Sequence, residues 1–348
     1  FQAEDGIRDR SPSRGLGDVY KRQGSCLFLY FFSQISLEGL WLQVTKVGWG
    51  IIPVIFVHFL GFCCDTFLWN LTLKKKIDCS RKWLVHIWKV KMVGEAFNVI
   101  TPLATLGGEP IKIFILKKIS KITYKEGVSA LILTKTIIMI ALIIFLSTGL
   151  IIILETNLLP DRYNTYVTLG LLIFITLIAL FYLTQRLKLF SLLGKNLRKV
   201  TIKKSIERAL HYIEAVEGRL TTFYSEKKGR FLGAISLALG NWSLGVLELY
   251  LIMLFLGHPI TFAEAWMIES FVQLIRTATF FIPANLGALE GAFMFIIGVI
   301  TGNNILGLSA ALIRRFREII WITWGVAIGH EFSISVSNVK DRIKDVKI

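Results

Sequence analysis

The chain has 348 residues, of which 54% are hydrophobic and 18% charged, and its mean hydropathy is +0.60. This composition is too apolar for a water-soluble domain and predicts an integral membrane protein. Lysine and arginine number 40 against 24 aspartates and glutamates, which gives a net charge of +16. Because the basic residues lie between apolar runs, they indicate cytoplasmic loops and anionic lipid headgroups as partners rather than nucleic acid.

The first 23 residues differ in character from the rest of the chain. Residues 1–23 are polar and resemble a translated sequencing adapter more than a signal peptide, which needs a continuous apolar core and a cleavage site. We expect residues 24–348 to form a single transmembrane domain. The apolar run at 24–35 is shorter than the roughly 20 residues that cross a bilayer, so we expect the first helix to be incomplete.

Five long apolar stretches are predicted to cross the membrane as helices: residues 49–71, 127–154, 167–183, 231–256 and 305–328. Lysine and arginine are concentrated between them, in residues 74–91, 112–125 and 185–230. The connections 155–165 and 257–264 contain almost none. The positive-inside rule places the basic segments in the cytoplasm, with the protein in the cell membrane. Within the long loop, the pattern at 205–219 predicts an amphipathic helix that is either interfacial or solvated.

Two further segments, residues 92–116 and 266–301, are less uniformly apolar. Basic loops flank the first on both sides, so it is predicted to enter and leave at the cytoplasmic face, whereas the second is predicted to dip from the outside. Broken backbone at membrane depth is tolerated only where protein or a watery cavity surrounds it. The predicted fold is therefore an all-α, polytopic transmembrane bundle with two re-entrant or broken segments.

Each of these two segments contains a similar motif, in which a proline precedes a Leu-Gly pair and a glutamate lies seven residues beyond the proline. The motif residues are Pro102, Leu106, Gly107, Glu109 and Lys112 in the first segment and Pro283, Asn285, Leu286, Gly287 and Glu290 in the second. Proline interrupts a helix and glycine permits a tight turn. Two matching motifs that approach from opposite faces predict an inverted repeat.

The glutamates of the two motifs are the first candidate functional residues. A carboxylate at membrane depth is costly unless it is paired or hydrated, so Glu109 and Glu290 are predicted to bind a cationic group, pair with arginine or carry a proton. The alternative is that each caps the half-helix that follows it. The two roles are compatible.

The last apolar stretch contains the second group of candidates. Arg314 and Arg315 lie well inside it and are predicted to face the protein interior, where they pair with Glu109, Glu290 or a phosphate. The alternative for the neighbouring Arg317 is a position near the membrane interface. Other polar residues that could line the same cavity are Glu95, Asn98, Glu269, Gln273 and Arg276.

At these motifs the chain resembles the transmembrane region of lysylphosphatidylglycerol synthases, a group of flippase-like membrane proteins that includes hopanoid-associated members. The matching residues are Asn98, Pro102, Gly107, Glu109, Lys112, Pro283, Gly287, Glu290 and Arg315. The resemblance implies lipid binding or translocation. In bifunctional members a separate soluble domain transfers lysine, and nothing in this chain matches that domain. The commoner Pro-Gly-Gly form of the second motif is replaced here by Pro283-Ala284-Asn285.

The leading functional prediction is a flippase-like transporter of a phospholipid or another amphiphilic lipid, in which Arg314 or Arg315 binds the headgroup phosphate. The alternatives are a membrane-embedded enzyme with Glu109 as general base and a scaffold for enzymes of lipid or glycolipid biosynthesis. The sequence shows no nucleophile constellation, metal-ligand spacing or nucleotide-binding motif. We therefore predict no catalytic residue, metal or cofactor.

Overall fold

A computed structural model describes residues 37–73, 80–100, 107–120, 122–156, 161–186, 228–279 and 282–345, together with the isolated residues Gly218 and Phe223. Within these ranges all regular structure is helical, which confirms the predicted all-α fold. The adapter-like residues 1–23, the run at 24–35 and all but one residue of the predicted helix at 205–219 lie outside the described residues.

The helices divide into two groups at the long basic loop. The first group is α1 (Leu37–Val47), α2 (Ile51–Leu73), α3 (Arg81–Ile100), α4 (Gly108–Ile119), α5 (Tyr124–Thr156) and α6 (Asp161–Arg186). The second group is α7 (Lys228–Phe255), α8 (Phe262–Ala278), α9 (Ala288–Thr301) and α10 (Asn304–Asp345). The short 3-10 turns Gly48–Gly50 and Pro283–Asn285 precede α2 and separate α8 from α9.

Three helical stretches in the described part of the chain are long and apolar enough to cross a membrane: Val44–Leu73, Tyr124–Thr156 and Lys228–Phe255. They contain the predicted spans 49–71 and 127–154 and nearly all of 231–256. The other two predicted spans are also helical, in α6 and α10. The apolar part of α6 includes Thr168–Leu180, and charged side chains interrupt the apolar run of α10.

The distribution of side chains differs from that in a soluble protein on the outer surface and at a few buried charges. Large apolar residues face outwards on α6, where Ile173 is 60% and Leu177 58% exposed. Charged residues lie inside the bundle, where Glu269 is 2% and Arg315 3% exposed. Apolar side chains on the outside and paired charges on the inside are what a lipid environment requires.

Both segments predicted to be broken form helical hairpins. In the first, α3 packs against α4, and in the second, α8 packs against α9. The break in the second hairpin is the 3-10 turn at Pro283–Asn285. Residues 101–106 of the first break, including Pro102, lie outside the described residues. At 1.5 Å per residue, α4 is about 18 Å and α9 about 21 Å long, which is shorter than a hydrocarbon core of about 30 Å.

Each hairpin also packs against a long helix of the other half. Helix α3 lies along α10, and α8 lies along α5. A glycine permits each close approach, since a Cβ atom on Gly325 of α10 would lie 2.7 Å from the Cβ of Ala96 and from the carbonyl oxygen of Met92. In the same way, a Cβ on Gly149 of α5 would collide with the side chain of Ser270. Small residues at such crossings let two backbones approach closely.

We expect Gly325→Ala to lower the free energy of unfolding by about 1–3 kcal/mol, because the new methyl group cannot be accommodated without separating α3 from α10. Thermal unfolding in detergent, followed by circular dichroism, measures the effect. Gly240→Ala in α7 is the matched control, because a Cβ there meets no atom within 4 Å. Equal unfolding temperatures for the two variants would contradict close packing at Gly325.

Candidate functional site

Charged and polar side chains form two clusters, one at each hairpin, and most of their members are buried, although Lys135 is exposed. The first-half cluster consists of Asp65, Lys91, Glu95, Asn98, Glu109, Lys112 and Lys135. The second-half cluster consists of His58, Glu248, Glu269, Gln273, Arg276, Asn285, Glu290, Arg314, Arg315, Arg317 and Glu318.

The turn of the second hairpin has an unusual backbone. Ala284 and Asn285 have φ values of 51° and 50°, and Gly287 has a φ of 77°. Ala284 and Asn285 occupy the positions at which the commoner form of the motif has two glycines. The left-handed conformation explains that preference for glycine, because a Cβ atom makes it less favourable.

Arg315 holds this turn from the neighbouring helix α10. Its Nη1 donates to the carbonyl oxygen of Ala284 at 3.0 Å, and its Nη2 donates to that of Asn285 at 3.3 Å. The Asn285 side-chain amide in turn can donate to the Thr279 hydroxyl at 2.7 Å and to the carbonyl oxygen of Arg276 at 3.2 Å. Backbone groups freed by the break in the hairpin therefore have partners inside the protein.

The same arginine forms the shortest ion pair of the hairpin. Arg315 Nε donates to Glu290 Oε1 at 2.6 Å, and Nη1 donates to Glu318 Oε2 at 2.7 Å. The other carboxylate oxygen of Glu290 accepts the backbone N–H of Gly287 at 2.8 Å. Glu290 therefore both pairs with arginine and caps α9, as the sequence allowed.

Arg314 has different partners from Arg315 and joins α10 to α7 and α8. Its Nη2 lies 2.8 Å from Glu269 Oε2 and donates to the carbonyl oxygen of Gly245 at 3.0 Å. Glu269 Oε1 accepts from the amide of Gln273 at 2.8 Å. Glu269 and Gln273, which the sequence analysis suggested for the same cavity, thus lie in contact with Arg314 or with each other.

Arg317 lies inside the bundle rather than at its interface with solvent. Its side chain is 12% exposed, and Nη1 is 3.2 Å from Glu248 Oε2. The same nitrogen contacts Nδ1 of His58, whose ring packs edge-on against Trp321 with centroids 4.7 Å apart. The alternative in which Arg317 extends to the membrane surface is not what the structure shows.

In the first-half cluster, lysines take the place of arginines. Glu109 Oε1 lies 3.0 Å from Lys112 Nζ and 3.1 Å from Lys135 Nζ, and Lys112 also donates to Glu95 at 3.0 Å. Asn98 caps α4 by accepting the Gly108 backbone N–H at 2.8 Å. Among the described residues, Glu109 makes no ion pair with an arginine of the last span, and its partners are the lysines of α4 and α5.

The two hairpins share one geometric relation. The glutamate seven residues beyond the motif proline pairs with a cation on the next long helix, namely Lys135 on α5 for Glu109 and Arg315 on α10 for Glu290. The separations along the chain are 26 and 25 residues. Gly107 and Gly287 each lie directly before the short helix that contributes the glutamate.

Several members of the clusters were missed by sequence reasoning. Asp65, Lys135 and Glu248 are isolated charged residues inside three of the apolar spans, where a single charge is itself a signal of a polar interior. Lys91 pairs with Asp65 across α2 and α3. The sequence therefore shows that these charged residues are unusual, but it does not show which residues they pair with. A role in lipid binding stays a prediction for every residue in the two clusters.

A cavity of about 460 Å³ lies between α4 and α5 beside Glu109 and Lys135. Its other walls are mainly apolar and include Ile113, Leu131 and Met139. Glu109 Oε2 is buried and accepts no hydrogen bond from any described residue. The cavity therefore combines an apolar surface with a carboxylate oxygen that can still accept a donor.

We expect Ala284→Gly to raise the free energy of unfolding by about 1 kcal/mol, because glycine adopts the left-handed conformation without a Cβ penalty. Ala292→Gly is the matched control inside α9, where glycine should lower stability by about 1 kcal/mol. Thermal unfolding of both purified variants measures the difference. A lower unfolding temperature for Ala284→Gly would contradict the left-handed turn.

Comparison with known proteins agrees with the resemblance noted in the motifs. The family model described as the lysylphosphatidylglycerol synthase TM region matches residues 23–325. The chain is also similar to a "UPF0104 membrane protein" of Methanothermobacter thermautotrophicus, with 21% identity over 307 residues, covering 82% of this chain and 86% of the relative. No solved structure gives a significant match. Because the family model covers most of the chain, this integral membrane protein belongs to the lysylphosphatidylglycerol synthase transmembrane-region family.

Proposed function

We propose that the protein is a flippase-like transporter that moves a phospholipid or another amphiphilic lipid between the leaflets of the cell membrane. The observation that supports this most directly is the presence of carboxylate–cation pairs inside two broken helical hairpins, Glu109 with Lys135 and Glu290 with Arg315. A headgroup that crosses a membrane needs such a polar path, while its acyl chains remain in lipid.

The proposed topology follows from the lengths of the helices and the placement of basic residues. Segments 74–80 and 120–123 would both lie in the cytoplasm, so that α3 and α4 form a hairpin that enters and returns on that side. Helices α8 and α9 would form the matching hairpin from the outside. Since α4 and α9 are too short to cross the hydrocarbon core, a re-entrant arrangement accounts for both.

An inverted repeat is part of this proposal. Each half would contribute a span, a broken hairpin and a second long helix in the same order, as α2 to α5 and as α7 to α10. The reciprocal packing of α3 on α10 and of α8 on α5 supports it. So does the equivalent pairing of Glu109 and Glu290 with the long helix that follows each hairpin.

The proposed mechanism uses exchange of partners at the ion pairs of Glu109 and Glu290. A zwitterionic or anionic headgroup would present phosphate oxygens to a lysine or arginine and any ammonium group to a carboxylate. Glu109 has a carboxylate oxygen without a partner beside an apolar cavity. An amphiphile could bind there with its headgroup at Glu109 and an acyl chain along α5. Because the chain has no nucleotide-binding motif, transport would be passive or coupled to an ion.

The direct test is reconstitution of the protein into liposomes that contain labelled phospholipids or polyprenyl-linked lipids, followed by measurement of transbilayer movement. We expect Glu109→Gln and Glu290→Gln to slow transport roughly tenfold or more, as a charge-assisted contact is worth about 1.5–3 kcal/mol. Glu155→Gln, at an exposed position near the end of α5, is the matched control and should transport like wild type.

Each single substitution also removes one carboxylate from a buried cation and should lower stability, because Lys112 then keeps only Glu95 and Arg315 keeps only Glu318. The double variant Glu109→Gln, Lys135→Gln removes both charges and should fold while losing transport. Transport by the folded double variant at the wild-type rate would contradict a role for the pair. Absence of transport of every tested lipid by folded wild type would contradict the proposal and favour a scaffold for lipid-synthesis enzymes.

A further inference from the structure

Lys135 is an exposed cation inside an apolar span. It lies eight residues beyond Gly127, where the apolar run of α5 begins, which is about 12 Å at 1.5 Å per residue. Its side chain is 46% exposed, and its Nζ lies 3.1 Å from Oε1 of Glu109. A charged group at this depth is costly in lipid unless an anion is beside it.

The two lysines that bind Glu109 are not equivalent. Lys112 is only 5% exposed and lies 3.0 Å from both Glu109 and Glu95, so it is held by two carboxylates. Lys135 is the exposed partner. If Lys135 moved to another anion, Glu109 would still be paired with Lys112, so the exchange would leave no buried charge uncompensated.

The cavity between α4 and α5 has Lys135 in its wall. On α5 the lining residues recur at intervals of three or four and so share one helix face: Tyr124, Val128, Leu131, Lys135 and Met139. From Tyr124 to Met139 this face is about 22 Å long, which exceeds half of a hydrocarbon core of about 30 Å. Tyr124 and Lys135 are exposed, as is Pro110 on α4, so the cavity has an open side.

The charges beside the cavity favour an anionic rather than a cationic headgroup. Two ammonium groups already lie within 3.1 Å of Glu109 Oε1, those of Lys112 and Lys135. A third cation would be repelled by both of them. An anion at Lys135 meets an ammonium group on the open side of the cavity.

We propose that this cavity binds one anionic phospholipid, whose phosphate replaces Glu109 as the partner of Lys135 while an acyl chain lies against Val128, Leu131 and Met139. A volume of about 460 Å³ accommodates part of such a lipid, and the second chain stays in the bilayer. The inference rests on the proposed function and adds to it the charge of the substrate and the residue that binds its phosphate.

Equilibrium binding of dioctanoylphosphatidylglycerol to the purified protein in detergent tests the role of Lys135. We expect Lys135→Gln to bind this anionic lipid roughly tenfold more weakly than wild type, because a hydrogen bond to a charged group is lost. Lys117→Gln is the matched control, since it removes the same charge from an exposed position of α4 that does not line the cavity. Equal losses in the two variants would indicate an effect of net charge alone and would overturn the proposal.

Two further probes test the class of ligand. Dioctanoylphosphatidylcholine, which carries a cation as well as a phosphate, should bind wild type more weakly than the anionic lipid does. Glycerol phosphate, which lacks acyl chains, should bind weakly to wild type and to Lys135→Gln alike. Glycerol phosphate binding to wild type as tightly as the phospholipid would show a site for a free anion and would contradict a lipid ligand.

A variant that fills the cavity tests the position of the acyl chain without changing a charge. We expect Val128→Phe to weaken binding of the anionic lipid roughly tenfold, which corresponds to displacing about two methylene groups from the apolar wall. Val326→Phe, at an exposed position of α10, is the matched control and should bind like wild type. Unchanged binding by Val128→Phe would place the chain elsewhere and overturn the assignment.

Thermal unfolding shows whether each variant is folded and gives a second measure of binding. The anionic lipid should raise the unfolding temperature of wild type and of Lys117→Gln but not that of Lys135→Gln. If wild type binds the lipid through Lys135 yet transports none, the transport proposal fails and the site stands. If folded Lys135→Gln binds the lipid like wild type, the site is wrong even where transport is observed.

Discussion

The ion pair between Arg315 and Glu290 is the constraint on which the second hairpin depends. A break in a helix at membrane depth leaves carbonyl groups that neither water nor lipid can satisfy. Arg315 supplies donors to two of these carbonyls and to two carboxylates at once, so one side chain joins α10, α9 and the turn between α8 and α9. The left-handed conformation of Ala284, unfavourable on its own, is held in place by this contact.

The motif glutamate pairs with lysines in the first half of the protein and with an arginine in the second half. Lysine is a point charge, and Lys112 and Lys135 simply converge on Glu109. Arginine has a planar fork with five donors, which allows Arg315 to bind backbone and carboxylates together. The second-half cluster contains four arginines and four glutamates, whereas the first-half cluster contains three lysines and three acidic residues.

Much of the site could be predicted because charge inside an apolar run is conspicuous. Glu290, Arg315, Glu269 and Gln273 were expected in one interior cluster and are found there. The pairing of Glu109 was predicted less well, since its partners are lysines of α4 and α5. Pairing depends on which helices are neighbours. Because the two hairpins have similar motifs, the sequence alone does not show which cation pairs with which carboxylate.

The sequence by itself determined the membrane environment, the helical class, the position of the second break and the family, because each depends on local composition and on the spacing of proline, glycine and charge. Only the tertiary structure decided that α3 packs on α10 and α8 on α5, and that Lys135 and Glu248 belong to the two charged clusters. These features depend on contacts between residues far apart in the chain. Packing geometry, rather than residue type, determines which of many chemically equivalent pairs form.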